Sequence, residues 1–363
     1  MREIVKETRH PGITYTHLTN DTPLSIHVVK MNPTLCRVLP ARALNNGVGR
    51  ECLFTMAQRS NAIAAINGGY FIVGGAFDGK SKGICKIENH WFASPKHEAS
   101  SIAWNRATNE VMLDRGGIIW SLKIEGKPLP IDGVNIPLKP SNAMLYSWAL
   151  HRSTLSPQGT IELELKDGKL VNIHRPGGDT EIPHGSWIYS IEADHAMDIT
   201  FFKVGMEVEL SHRFVFLNGE FKDEERPQSV HTFWENCDYI LSGGPILIQN
   251  GVENTNYDHE FLKQFILYSP QPRSAVGVTE KGEWIFIVVE GRQANVSWGV
   301  SVQELASLMH TMGCIQALNL DGGASVLMVV EGNIVNTPMF NGIESDEEAG
   351  QRRISDAFLI VDR

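Results

Sequence analysis

SVQELASLMHTMGCIQALNLDGGASVLMVV, residues 301–330, places a helix, a buried strand and a glycine turn in immediate succession. Ser301 followed by Glu304 has the spacing of a capping box, which marks the start of a helix. Gly313 marks its end. Apolar side chains recur on one side of the predicted helix, at positions 302, 305, 308, 309 and 312. We therefore expect a helix that braces the strand behind it.

The turn after that strand carries Asp321, followed by Gly322 and Gly323. A carboxylate at a strand end either caps its own turn or projects into a cleft. Two glycines let backbone amides approach a ligand closely, where they stabilise an oxyanion or a phosphate. Both interpretations of Asp321 stay open from this stretch alone.

A second unit repeats this order earlier in the chain. A predicted helix over 50–61 precedes the apolar run AIAAI, which ends at Asn67, Gly68 and Gly69. Two helix-to-strand units with glycine turns are expected to present both turns at one sheet edge.

RSAVGVTEKGEWIFIVVEG, residues 273–291, predicts a β-hairpin. Arg273 opens its first strand and Arg292 follows its second, so both arginines are expected near the open end. Two guanidinium groups there would hold one phosphate bidentately, whereas the alternative is surface ion pairing with acids such as Glu290.

Two further glycine stretches contain possible phosphate contacts. Gly243 and Gly244 interrupt the apolar run YILSGGPILI, which indicates either a bulge or a third wall of the same cleft. The stretch from Gly74 to Ser81 matches the P-loop spacing G-x-x-x-x-G-K-S. A P-loop needs a helix behind it, but the following residues alternate like a strand, so a polar loop is favoured. A P-loop NTPase remains the less favoured alternative.

The composition is that of an ordinary globular protein, with 42% hydrophobic and 20% charged residues. A net charge of -10 argues against binding to duplex nucleic acid, because phosphate backbones require an excess of Lys and Arg. No export signal or membrane-length apolar run is recognisable, so we expect a cytoplasmic protein that does not insert in membranes.

Short β-prone runs recur between residues 100 and 241, and no Pro- or Ser-rich linker divides the chain. We expect one large α+β domain over 20–363, strand-rich with a mixed sheet and a few packed helices, preceded by an N-terminal extension over 1–19.

No cofactor is firmly implied. The five cysteines contain no C-x-x-C pair, and the acidic segment 192–198 lacks a regular metal-ligand spacing. A divalent cation is possible, and metal ligands stay unassigned.

Four motifs nevertheless occur in a specific order: AINGGYF, SGGP, RSAVG with EGR, and NLDGGAS, followed by RRISD at 352–356. Together they resemble the phosphodiester glycosidase family over roughly residues 20 to 363. The resemblance implies an enzyme that hydrolyses a small-molecule or glycan phosphodiester at the anomeric carbon of a sugar and releases free sugar and a phosphomonoester. An intracellular bacterial or bacteriophage enzyme would fit a chain without a signal.

The resemblance also implies the site residues. Departures from the family pattern are Ser274, Glu290, Ala324 and the pair Tyr70-Phe71, all mild changes in size. The matching positions are Asn67, Gly68, Gly69, Gly243, Gly244, Arg273, Arg292, Arg353, Asp321, Gly322, Gly323 and Ser325.

The chemistry of the reaction indicates a role for each of these residues. A phosphate leaving group is weakly basic, so neutralising its charge helps more than protonating it. We hypothesise that Asp321 is the base or nucleophile, that Arg273 and Arg292 hold the phosphate, and that Glu290 orients an arginine or a water. The glycine turns would line the pocket with amides. A non-catalytic glycan- or phosphodiester-binding protein, for example of a virion, is the alternative from another class.

Overall fold

A computed structural model describes residues 2–6, 8–20, 23–192, 199–216, 226–257, 264–337 and 351–363, with only the backbone of 2–6 and 199. The centre of the acidic segment, residues 193–198, lies outside these ranges. Within them the chain is strand-rich, with mixed sheets and 12% helix, in line with the predicted class.

The strands fall in two halves along the chain. Those up to residue 147 are β1 Arg2–Lys6, β2 Ile13–Asn20, β3 Leu24–Met31, β4 Cys36–Arg42, β5 Ala64–Asn67, β6 Cys85–Ile87, β7 His90–Pro95, β8 Ala99–Trp104, β9 Val111–Ile124, β10 Lys127–Leu129, β11 Gly133–Val134 and β12 Ala143–Ser147.

The later strands are β13 Thr160–Lys166, β14 Lys169–Gly177, β15 Trp187–Ile191, β16 Val208–Phe216, β17 Tyr239–Ser242, β18 Ile246–Gln249, β19 Val252–Glu253, β20 Arg273–Thr279, β21 Trp284–Val289, β22 Cys314–Asn319, β23 Met328–Val330, β24 Asn333–Ile334 and β25 Asp356–Asp362.

The described helices are few and short. They are α1 Leu53–Arg59, α2 Gln228–Asn236, α3 Gln264–Tyr268 and α4 Val302–Thr311. None of the helices in the described part of the chain is long and apolar enough to span a membrane.

Three sheets organise these strands. An eight-stranded sheet has the order β1-β2-β3-β21-β20-β22-β18-β19, and a five-stranded sheet has the order β24-β23-β5-β25-β4. The remaining twelve strands form a third sheet, which includes one parallel pair, β11 with β12. The predicted single mixed sheet is therefore three sheets.

The centre of the eight-stranded sheet confirms the predicted hairpin. β20 and β21 pair antiparallel with Arg273 opposite Val289, and β22 pairs with β20 on its other side. Asp321 follows β22, so the candidate residues of two motifs leave the sheet at the same end.

Both faces of this central sheet are buried, which explains its continuous apolar runs. Val276 and Val288 point into the core shared with Ile66 and Phe358 of the five-stranded sheet. Their neighbours in sequence point to the opposite face, which is covered by α4. The candidate turns thus lie at the rim of a sandwich of two sheets.

Helix α4 confirms the sequence prediction in detail. The Ser301 side chain accepts from the Glu304 amide, and the Glu304 carboxylate accepts from the Ser301 amide. Val302, Leu305 and Met309 are fully buried on the sheet face. The helix therefore fixes the strand that leads to Asp321.

The N-terminal residues differ from the predicted extension. Strand β2 pairs with β3 over its whole length, from Ile13 opposite Met31 to Asn20 opposite Leu24. The boundary predicted at residue 20 therefore falls inside a hairpin of the central sheet. The alternation in ITYTHL is the sequence signal that indicates this strand.

Candidate active site

Two of the predicted glycine turns meet across the two facing sheets. The Asp321 amide donates to the Gly68 carbonyl at 3.0 Å, and the Asn67 side-chain amide donates to the Asp321 carbonyl at 2.9 Å. The Asn67 oxygen accepts from the Ser274 hydroxyl at 2.6 Å and the Leu327 amide at 3.2 Å. The turns come from different sheets rather than one sheet edge, and the buried Asn67 joins them.

We call residues Asp321–Ser325 the aspartate turn. Burial raises the pKa of the Asp321 carboxyl from its ordinary 3.8 to about 6, against lowering contributions from the Ser325 hydroxyl, the Arg352 guanidinium and the Gly322 amide. The Gly322 amide donates to Asp321 Oδ1 at 3.0 Å. Asp321 therefore carries a carboxyl that titrates close to neutral pH, as a proton-transfer group requires.

The glycine amides do not line a pocket, which corrects the prediction. All six amides of Gly68, Gly69, Gly243, Gly244, Gly322 and Gly323 donate to acceptors within the protein. Their small size serves close packing instead: a Cβ at Gly69 would collide with the Ser242 carbonyl. Charge recognition at this site must come from side chains.

A buried ion pair supports the first turn from behind. Asp356 accepts from the Gly69 amide at 2.8 Å through one oxygen. Its other oxygen accepts from Arg42 at 3.1 Å, Ser81 at 2.6 Å and Ser355 at 2.7 Å. The motif RRISD contains Asp356, but the position of Asp356 in the chain does not by itself reveal that it holds the turn at 67–69.

Arg292 is the exposed cation beside the aspartate turn. Its guanidinium lies over Gly323, close to where a Cβ at that glycine would be, and its Nε donates to the Gln271 side chain at 2.8 Å. The backbone of Arg292 has φ +60°, a region that side-chain-bearing residues rarely adopt and that often marks functional positions. The role of Arg292 as a phosphate ligand stays a prediction.

Arg273 differs from the predicted phosphate clamp. The side chain is buried, and its guanidinium donates to the carbonyls of Val300, Ser269 and Ile266. Burial lowers its pKa to about 10, and the Arg292 charge acts in the same direction. Arg273 therefore supports the segments around α3 and residue 300, because its Nε and Nη2 groups donate to carbonyls inside the protein.

Arg353, predicted as a phosphate ligand, differs from its neighbour Arg352 in its surroundings. It is exposed, whereas the half-buried Arg352 lies 5.2 Å from the Phe71 ring centre and lowers the pKa of Asp321. Neighbouring residues of an extended segment point to opposite sides, so a shift of one position exchanges their roles. Within RRISD, Arg352 is therefore the arginine whose charge acts on Asp321.

Glu290 lies on the other side of the hairpin end and has different partners from those predicted. Its carboxylate accepts from the Thr337 amide, and His27 Nε2 lies 3.7 Å from the other oxygen. Burial raises the pKa of Glu290, but the nearby His27 and Ser25 side chains and the hydrogen bond from the Thr337 amide outweigh it and lower the pKa to about 2. No arginine is among these partners. Glu290 is therefore held as an anion.

A cavity of about 490 Å³ opens above this carboxylate, and we call it the Glu290 cavity. Its polar lining includes His17, Thr19, Ser25, His27, Glu290 and Asn295, and its apolar lining is Pro23, Leu24, Val296 and Val335. The volume is in the range of roughly 300–1,000 Å³ that is usual for small-molecule sites.

Pro272 separates the Glu290 cavity from the aspartate turn. Gly291 and Gly322 both pack against Pro272, and the Gly323 amide donates to its carbonyl at 3.1 Å. Adjacent strands lie about 4.8 Å apart, so the backbones of Glu290 and Gly322 are separated by roughly 10 Å across β20. Two carboxyl groups and one exposed arginine thus border one surface region.

The P-loop alternative is wrong. The residues after Ser81 lead into strand β6, so no helix N-terminus follows to receive a phosphate. The Lys80 side chain is 3% exposed, and Ser81 is bonded to Asp356. Burial, aided by Arg42, lowers the pKa of Lys80 to about 7. These residues belong to the interior that supports the site.

In the described part of the chain, neither Asp321 nor Glu290 belongs to a cluster of three possible metal ligands. Among the described residues, the three side chains whose possible metal-ligand atoms lie close together are His10, Cys36 and Asp362. Asp362 ends the strand that Asp356 begins, about 20 Å further along at 3.3 Å per residue. No cation is therefore assigned to the candidate active site.

Known proteins resemble the chain in sequence and fold. An SPbeta prophage-derived uncharacterized protein YomE of Bacillus subtilis is 40% identical over 73 residues, which are 20% of this chain and 11% of that protein. The uncharacterized protein RC0079 of Rickettsia conorii is 24% identical over 241 residues, 65% of this chain and 77% of its own length.

Among solved structures, a hypothetical protein from Synechocystis superimposes with a TM-score of 0.79 at 20% identity, over 99% of this chain and 64% of its own. At this identity the likeness is one of fold. The sequence profile of the phosphodiester glycosidase family matches residues 199–361. This stretch contains Glu290, Arg292, Asp321 and Arg352. The resemblance of the four motifs to the phosphodiester glycosidase family is therefore confirmed over residues 199–361.

Proposed function

We propose that the chain hydrolyses a sugar phosphodiester at the anomeric carbon and releases free sugar and a phosphomonoester. The observation that carries this proposal is the pair of carboxyl groups with opposite environments, Asp321 with a pKa of about 6 and Glu290 with a pKa of about 2. Two carboxyl groups with different pKa values are the usual catalytic groups of glycoside hydrolysis.

The reaction assigns a separate task to each group. Asp321 takes a proton from the attacking water, whose oxygen forms the new bond to the anomeric carbon. The bond from that carbon to the phosphate oxygen breaks, and its electron pair leaves with the phosphate. Glu290 remains ionised and stabilises the positive charge that develops on the sugar ring.

Arg292 would neutralise the leaving phosphate. An exposed guanidinium over a glycine turn approaches an anion without a side chain in between, and its fork suits phosphate oxygens. Arg352 adds positive charge on the same side, since it lowers the pKa of Asp321. Protonation of the phosphate contributes little, because a phosphate is already a good leaving group.

The test is incubation with a panel of sugar-1-phosphodiesters, including nucleotide sugars, each with and without a chelator. Release of free sugar and phosphomonoester in equal amounts is expected, and Asp321→Asn serves as the control for contaminating enzymes. Retained activity in Asp321→Asn, or no release from any compound, contradicts the proposal. Affinity without product release would instead support the binding-protein alternative.

A further inference from the structure

We propose that the Glu290 cavity is the subsite for the sugar, with the phosphate of the same substrate on the Arg292 side of Pro272. This inference rests on the proposed function and adds the orientation of the substrate. Apart from Glu290 and Arg292, it concerns residues of β2, β3 and the loop after β21 to which no sequence motif assigned a role.

The lining of the cavity suits a sugar. The Glu290 carboxylate accepts hydrogen bonds from hydroxyl groups, and the exposed Asn295 amide both donates and accepts. Pro23, Leu24 and Val296 provide an apolar wall for the C–H face of a ring. A polar floor beside an apolar wall matches the two-sided chemistry of a sugar ring.

Charge distinguishes the two ends of the substrate. Among the described residues, the cavity lining contains one carboxylate and no lysine or arginine, so these residues offer no fixed positive charge to a phosphate. Across Pro272, Arg292 is exposed over Gly323, and Arg352 acts on Asp321. A phosphate is therefore favoured on that side and disfavoured in the cavity.

The floor of the cavity is held in place before a ligand arrives. His27 Nδ1 is hydrogen-bonded to the Tyr15 hydroxyl at 2.7 Å, and its ring stacks on His17 with centroids 4.4 Å apart. His17 Nε2 lies 2.9 Å from the Ser25 hydroxyl. Because Ser25 and His27 hold the Glu290 carboxylate, binding needs little reordering of this group, which favours affinity.

The test compares Val296→Trp, which fills the cavity from an exposed position, with Val252→Trp, an exposed control on β19. Probes are inorganic phosphate and a panel of free glucose, galactose, mannose and their N-acetylamino forms, measured by ligand-observed NMR. Val296→Trp should weaken sugar binding at least about tenfold, or about 1.4 kcal/mol, and leave phosphate binding unchanged. Arg292→Ala should do the reverse.

Several outcomes overturn the orientation. These are sugar binding that survives Val296→Trp, phosphate binding lost in that variant alone, and no sugar binding by the unmodified protein at millimolar concentration. Hydrolysis measured on the same samples separates the two proposals. Sugar binding lost in Val296→Trp without hydrolysis by the unmodified protein contradicts the proposed function and supports the subsite. Hydrolysis by the unmodified protein with an unchanged KM in Val296→Trp supports the proposed function and contradicts the subsite.

Discussion

The aspartate turn and the Glu290 cavity lie at the same end of one sheet, with one strand between them, and each contains one carboxyl group, half-buried at Asp321 and buried at Glu290. The pKa of Asp321 rises to about 6, whereas that of Glu290 falls to about 2. Burial alone would raise both values. The difference must therefore come from their partners.

Glu290 accepts a hydrogen bond from the Thr337 amide and is stabilised as an anion by the nearby His27 and Ser25 side chains, which together outweigh the cost of burial. Asp321 receives support from Ser325 and Gly322 and a more distant charge from Arg352, while the buried carboxylate of Asp356 opposes its ionisation. One sheet end can thus hold one carboxyl group ionised and another ready for proton transfer. Four substitutions test this difference.

Asp321→Asn should have the largest effect. Loss of the proton-transfer group is expected to lower kcat on a cleaved sugar phosphodiester by about a thousandfold, within the 10²–10⁴ range of general acid–base catalysis. The folded carboxyl binds its proton more tightly than the unfolded one, so its contribution to stability falls as pH rises from 3.8 to about 6.

The variant should therefore be more stable than the unmodified protein at pH 8, by up to about 3 kcal/mol, with the gain disappearing towards pH 4. Denaturant unfolding at a series of pH values measures this. A loss of stability at pH 8 would show that the Asp321 carboxylate is well solvated or paired and would remove the contrast with Glu290.

Glu290→Gln should act in the opposite direction on stability. The folded pKa is depressed, so the carboxylate stabilises the protein above pH 4.5, and this contribution is lost as pH falls towards 2. The variant is expected to lose about 3 kcal/mol of unfolding free energy at neutral pH. Glu280→Gln, in an exposed turn, is the matched control and should change little. If both variants lose the same free energy of unfolding, the Glu290 carboxylate is not stabilised by its surroundings.

Arg292→Ala and Arg353→Ala form a pair in which each variant loses one exposed positive charge. The first should lower kcat/KM on a phosphodiester by about 2 kcal/mol, near thirtyfold, because a hydrogen bond to a charged group is lost. The second should stay close to unmodified activity. If both lose activity equally, the effect is one of net charge, and Arg292 has no specific contact with the phosphate.

Arg352→Gln should have the smallest effect. Removal of a charge that lowers the pKa of Asp321 is expected to move that pKa upward, so the acid limb of the activity profile shifts to higher pH. The pH dependence of kcat measures the shift, with Arg353→Gln as the control. A downward shift, or the same shift in the control, would contradict the assigned role of Arg352.

Local patterns predicted much of the central scaffold. The capping box predicted α4, the alternation and turn residues predicted the hairpin of β20 and β21, and both glycine turns lie where AINGGYF and NLDGGAS placed them. These features depend on hydrogen bonds and apolar spacing within a few residues, which the sequence displays directly. Asp321 and Arg292 could be selected from such local patterns, whereas Glu290 was selected through the resemblance to the family.

Only the tertiary structure determined the burial, the hydrogen-bond partners and the pKa values of those residues. The amides of the glycine turns are used up by carbonyls and carboxylates such as Asp356, and Arg273 is enclosed by segments that meet it only after folding. The opposite pKa values of Asp321 and Glu290 depend on donors such as Ser25 and His27, far away along the chain. Desolvation and hydrogen-bond donors set a pKa, and contacts between distant segments determine both.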